Sequence, residues 1–409
     1  MVAAKVILAG ASLIALAAGA TALAQARGGG TGTAVYWMSA DTASGLAGMA
    51  GGMGQGRPSA GSVMGAMLRG GGGSRSSYVH NLTLQLGGAR RAAGAPSAEH
   101  LPPAGLQAGP SLPLVTPQSA PRATGPVHPW GQAERPRGRM LIYWGCGEHA
   151  RPGQPTVIDF AAMTAGRVPP AFANSAIKPM VPPSAATSAT YGEWPNERSQ
   201  TRVPAGGSLV GEHVVRGNYS PEIRFSLGAG QDFLAPVALT ANAASASGAI
   251  PLVWRPVPGA RAWFGAVMGA AQNGDFVMWT SSETQAAMMA FDYVAEADIA
   301  RLVQSRVLMP ATADRCTVPA EVARAAPQSM LSLIAFGGES KFSQPRPAAA
   351  ARGWRPEWTV KLRTKSTHMG LLGMSMPGLE DAEDDPSREP QGKKKKNRLR
   401  KSLEGILGQ

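Results

Sequence analysis

Apolar and polar positions alternate along much of the chain. Tyr78 to Leu86 sets Leu82, Leu84 and Leu86 on one side and Asn81, Thr83 and Gln85 on the other, the period-two pattern of a half-buried antiparallel strand. Glu357 to Arg363 repeats it, with Trp358, Val360 and Leu362 set between charged or polar residues. Arg139 to Gly145 is apolar on both faces, which predicts a central strand. Short runs rich in β-branched and aromatic residues predict further strands at 34–38 and 156–160. From Ser208 onward, strand signals recur at 209–216, 222–227, 237–240, 250–254, 261–268 and 276–280, and again at 330–336. Their spacing of about 8–12 residues is that of a sandwich. Asn273-Gly274-Asp275 reads as the hairpin turn joining two of them. Helical period is clear only over 295–308, where Ile299, Leu302, Val303 and Val307 share a face. Acids lie early in it (Glu296, Asp298) and arginines late (Arg301, Arg306), which suits the helix dipole, and Pro310 ends it. Pro319 and Glu321 read as the first turn of a second short helix reaching Ala326.

Between these runs the pattern lapses. Residues 44–76 are Gly-, Met- and Ser-rich, residues 94–137 are Pro/Gly-rich, and 165–207 combine prolines with Ala and Ser. Gly (51) and Pro (34) make up about a fifth of the 409 residues, approaching the level of low-complexity chains. The expected architecture is therefore mainly β. An N-terminal β module with long loops (27–164) precedes a linker (165–207). An Ig/fibronectin-like β-sandwich (208–375) follows, with a helical insertion at about 293–326, and a disordered charged tail (376–409) ends the chain.

One segment adds a family resemblance. Leu252-Val253-Trp254-Arg255-Pro256-Val257-Pro258-Gly259-Ala260, followed by Trp263 and Phe264, resembles the B-strand, turn and C-strand of a fibronectin type III domain. The resemblance implies a sandwich with Trp254 in its core, a fold that hosts binding more often than catalysis. The residues agree by themselves: Pro258-Gly259 is a turn signal, and a tryptophan on a strand fills a core.

Charge and the N-terminus bear on location. Lys5, the apolar stretch Val6 to Leu23 and the small-x-small triplet Ala24-Gln25-Ala26 predict an export signal cut between Ala26 and Arg27. The protein is then expected in the periplasm or secreted, with an uncleaved membrane anchor as the alternative. Net charge is +13, of which Lys393, Lys394, Lys395, Lys396, Arg398, Arg400 and Lys401 supply seven. The body is only mildly basic, which argues against nucleic acid as its partner. Leu399, Leu403, Ile406 and Leu407 recur at helical spacing, so 393–407 reads as a basic amphipathic segment docking to anionic lipid or lipopolysaccharide. A solubilising tail that pairs loosely with the acids of 380–385 is the competing reading.

Candidate chemistry is sparse. Cys146 and Cys316, placed in an oxidising compartment, predict one disulfide. The loop it closes, about 170 residues long, is worth at most about 5 kcal/mol of chain entropy. Cys146-Gly147-Glu148-His149 could alternatively hold zinc or copper, or supply a Cys–His nucleophile. Met49, Met53, Met64 and Met67 could bind Cu(I). Hydrolase and phosphate-loop signatures are absent from the sequence, and no cofactor is expected. The leading expectation is an exported, non-enzymatic envelope protein that binds or scaffolds. The alternatives are an exported hydrolase of envelope carbohydrate or peptide, using Glu148, His149, Glu212 and His213, and a Cu/Zn-binding periplasmic protein.

Overall fold

A computed structural model describes residues 32–51, 78–117, 138–160, 180–199, 201–271, 273–285 and 292–374. The protein is mainly β, and one long mixed sheet carries it. From edge to edge its strands are β6 (Thr156–Asp159), β5 (Arg139–Trp144), β13 (Phe276–Thr280), β12 (Ala262–Ala270), β16 (Met330–Ser343), β17 (Trp358–Leu371), β1 (Ala34–Gly45), β2 (Tyr78–Gly88) and β7 (Thr190–Trp194). A two-residue strand, β14 (Met309–Pro310), pairs with β12 off this path. The β1/β17 and β5/β13 pairs are parallel, and the other pairs are antiparallel.

Two smaller sheets lie on one face of the long one. The four-stranded sheet, β4 (Leu112–Pro113), β3 (Ala98–Leu101), β8 (Gly211–Gly217) and β9 (Ile223–Leu227), covers β1, β2 and β17. The alternation read in the sequence does this work: Leu82, Leu84, Leu86, Val360 and Leu362 meet Val215, Ile223, Phe225 and Leu227 in one core. The three-stranded sheet, β10 (Leu239–Asn242), β11 (Ile250–Trp254) and β15 (Arg315–Val318), covers β12, β13 and β16. Trp254 on β11 and Trp263 on β12 are both buried, with ring centroids 5.2 Å apart. Their indole N–H groups donate to the carbonyls of Ala313 and Ala311, so neither ring buries an unpaired donor.

Helices contribute little. Helix α1 (Leu46–Gly51) follows β1, α2 (Glu296–Gln304) lies on the far face of β12 and β16, and α3 (Ala320–Ala325) follows β15. Ile299 and Leu302 of α2 pack against Phe264, Ile334 and Phe336. The helix stops four residues before Leu308, where the apolar period runs out, because Arg306 turns left-handed (φ 57°). Val307 N–H then donates to the Leu302 carbonyl and Arg306 N–H to that of Val303, the paired bonds of a Schellman termination. Among the described residues no helix is long and apolar enough to cross a membrane.

Most predicted strands recur within a residue or two, and the hairpin at Asn273-Gly274-Asp275 forms as read, with Gly274 at φ 83°. Several elements differ. β1 runs to Gly45 rather than ending at 38, because Ser39, Thr42 and Ser44 are buried polar residues satisfied by hydrogen bonds. β16 and β17 likewise extend to Ser343 and Leu371. β3 and β4 fall in a segment read as irregular, β7 inside the expected linker, and β15 just before α3. The strands assigned to the N-terminal module and those assigned to the sandwich share the long sheet. β1 is paired along its whole length with β17, and β5 with β13. The export signal, Met53, Met64, Met67 and the tail with Lys393–Lys401 lie outside the described residues, as does the side chain of Met49.

Candidate functional site

Cys146 and Cys316 form a disulfide, with Cα atoms 5.3 Å apart. Cys146 lies in the turn after β5 and Cys316 on β15, so the bond ties the long sheet to the three-stranded one. The sulfur of Cys146 is thus spent, which removes both the Cys–His nucleophile and the cysteine ligand of the proposed metal site. His149 is two-thirds exposed, with Nδ1 3.2 Å from Glu321 Oε1, and Glu148 is exposed on the same turn. Glu321 also accepts from Ala150 N–H at 2.8 Å, fixing the turn against α3. Glu212, on β8 of the four-stranded sheet, is exposed and paired with Arg224, whereas His213 points into the core. The four residues named for a hydrolase are therefore split, Glu148 and His149 in the turn after β5 and Glu212 and His213 on β8 of the four-stranded sheet. Among the described residues no group of three His, Cys, Asp or Glu side chains is placed to hold a metal.

A buried polar chain joins the four-stranded sheet to the long one. His213 Nε2–H donates to the Leu209 carbonyl at 2.6 Å, which leaves Nδ1 as an acceptor. His100 Nε2–H donates to it at 3.0 Å, and Tyr36 O–H donates to His100 Nδ1. Every donor has one acceptor, so both imidazoles are neutral and their tautomers follow from the chain. Burial holds both histidines below the ordinary value, His100 further because His213 adjoins it, and raises the Tyr36 phenol. This is a tie between sheets rather than acid–base machinery.

Ser44 and His368, neighbours in the long sheet, form a second buried polar cluster. Ser44 is the penultimate residue of β1, followed by Gly45 (φ 64°) and α1, the strand–serine–glycine–helix corner of many nucleophiles. His368 Nδ1 lies 3.2 Å away. The hydroxyl, however, donates to the Val237 carbonyl at 2.9 Å, and burial pushes His368 down to about 4. A base that weak does not activate a serine at neutral pH. Ser366 Oγ accepts from Val237 N–H beside it, so the cluster pins the segment leading to β10.

The far face of the long sheet is different. On β17 the outward positions are Lys361, Arg363 and Lys365, the polar phase of the alternation read in the sequence. Lys365 Nζ lies 3.9 Å from Asp41 Oδ2 of β1, and Lys361 Nζ 3.7 Å from Glu339 Oε2 of β16. Lys341 reaches the same Glu339 oxygen at 3.2 Å. Arg363, between the two lysines, is only 6% exposed and lies between two rings. Its guanidinium carbon is 4.2 Å from the Tyr293 ring centre and 5.0 Å from that of Trp37. Nε donates to Ser39 Oγ at 2.7 Å, and Nη1 is buried without an acceptor. Burial lowers Arg363 from its ordinary value, opposed at longer range by Asp292, Tyr293 and Glu339. Cation–π contacts worth about 0.5–2 kcal/mol each offset part of that desolvation. The sequence signal for this site was the three cations in the polar phase of β17; the cover by Tyr293 and Trp37 comes from non-local packing. No family model matches the chain, and neither does any curated protein or solved structure.

Proposed function

We propose that this is an exported, non-enzymatic protein of the cell envelope that binds or scaffolds, docked to an anionic lipid or lipopolysaccharide surface by Lys393–Lys401. The observation that carries this reading is what the polar interior is used for. Tyr36–His100–His213 and Cys146–Cys316 each connect one sheet to another, and Ser44, beside His368 in the long sheet, holds the segment at Val237 that leads to β10. Groups that a hydrolase would expose in a cleft are here consumed in holding layers together, which favours a rigid platform over a catalyst. A disulfide suits an oxidising compartment, and the clustered cations near the C-terminus suit an anionic surface.

The test is fractionation of cells producing the full chain or a chain lacking 386–409, followed by the intact mass of the recovered protein. The expected result is a chain starting at Arg27 in the envelope fraction at low salt, released to the soluble fraction by raising the salt or by the deletion. Equal envelope association of both chains, or an uncleaved chain in the cytosol, overturns the reading.

A further inference from the structure

We infer that the outer face of β17 is a binding site for a small oxyanion, a carboxylate or a phosphate, with Arg363 as its anchor. The argument does not depend on the tail. Of three successive outward cations on this strand, the flanking two have carboxylates within ion-pair distance: Lys361 has Glu339 and Lys365 has Asp41. Arg363, the most buried of the three, has none among the described residues, and its Nη1 finds no acceptor among them either. A buried cation is normally paired, since desolvating an unpaired charge is costly. The guanidinium cannot shed its proton at neutral pH to escape that cost. Among the described residues the charge therefore lacks a partner.

The surroundings select the ligand. Nε is held by Ser39 and the carbon lies between Tyr293 and Trp37, so the guanidinium cannot swing away and only its Nη donors remain to be used. That edge offers paired N–H groups to one oxyanion, the geometry by which arginine recognises carboxylate and phosphate. The lysines on either side keep 21% and 12% of their side-chain surface exposed, which marks where an ion enters, and they add positive potential along the path. On the next strand Glu339 Oε1, opposite Arg363, is also buried without a partner. A ligand bearing a hydroxyl next to its acid group satisfies both ends.

Thermal unfolding of the full exported chain in acetate, inorganic phosphate and chloride at equal ionic strength tests this. Acetate or phosphate is expected to raise the midpoint over chloride by roughly 2–4 °C. Arg363→Met removes the charge and abolishes the shift. Arg363→Lys keeps the charge, so folding is retained, but loses the paired donors and at least half of the response. Arg315→Met, at an exposed position on β15 of the three-stranded sheet, keeps the shift. The larger of the two anion responses identifies the acid group of the ligand. A wild-type midpoint the same in all three salts overturns the inference, and so does a shift that survives in Arg363→Lys undiminished.

Discussion

Three of the histidines, His100, His213 and His368, are buried as neutral imidazoles, and this dictates how the protein meets acid. Burial depresses all three, His368 to about 4. In the unfolded chain each titrates near the ordinary value of about 6.5. Between the two values the unfolded chain binds more protons than the folded one, so stability rises with pH there. The contribution is intact above about pH 6.5 and is lost as pH falls toward 4. For His368 alone the span amounts to roughly 3 kcal/mol, as an upper order of magnitude. Urea unfolding should therefore show a midpoint constant from pH 8 to about 6.5 and falling steeply below it. A midpoint flat down to about pH 4.5 would mean that these imidazoles are solvated. None of this was visible in the sequence. The six histidines are scattered singly along it, and only the pairing of β1 with β17 and of β3 with β8 brings Ser44 to His368 and His100 to His213. At Arg363, by contrast, the alternation of Trp358 to Leu362 with charged residues already implied an outward row of cations.

At the scale of elements, strands were legible wherever burial and side-chain polarity agree. β2 is the clearest: its leucines are buried, and Asn81 and Thr83 face water. The strands that escaped are those where the two disagree. β1 continues through Ser39, Thr42 and Ser44, which are buried with their hydroxyls bonded to Arg363 on β17 and to the carbonyls of Leu234 and Val237. β7 contains a glycine at 192, required because a Cβ there would lie 2.5 Å from the Tyr219 hydroxyl. Its composition consequently reads as loop. Helix α2 was placed correctly, but its end was not, since nothing in the apolar period announces a left-handed arginine. That residue offers a direct test. Arg306 occupies the position where glycine is preferred in a Schellman termination, at φ 57° and on the surface. Arg306→Gly keeps the backbone bonds to Val303 and Glu283 and relieves the Cβ strain. It should stabilise the protein by about 0.5–1 kcal/mol in thermal unfolding. A substitution at Arg301 within the helix should not. If Arg306→Gly destabilises, the termination is not the one described.

At the scale of the whole molecule, the order of strands decides what can fold alone. Local pattern separates an early group of strands from a late one with a proline-rich stretch between them, which is the composition of two domains and a linker. The sheet does not respect that boundary. β1 has β17 on one side and β2 on the other; β5 has β13 on one side and β6 on the other. The core under β1 draws Tyr36, Met38 and Leu84 from the early group, and Val215, Phe225 and Val360 from the late one. Such register is carried by contacts more than 300 residues apart in the chain, as between Ala34 and Trp358, and leaves no local trace. Residues 27–164 by themselves would keep the β1/β2 pair with its apolar face uncovered, while 208–375 would keep nearly all of the core under the three-stranded sheet but expose the free edge of β17 and lose more than half of the core under β1. The early fragment should therefore not unfold cooperatively, and the late one should fall well short of the full chain's stability. The full chain should lose tryptophan fluorescence and strand circular dichroism in one transition, with and without reductant, the reduced form at lower denaturant. Co-expression of the two fragments should restore protease resistance that neither has alone. A sharp, independent transition in 208–375 would show instead that the late strands form a self-sufficient sandwich and that β1, β2 and β5 are appended to it. The interleaved order argues the opposite: removing β1 opens the sheet in its middle rather than at an edge, and the strand lost is the one that carries Trp37, Ser39 and Asp41 to the cations of β17.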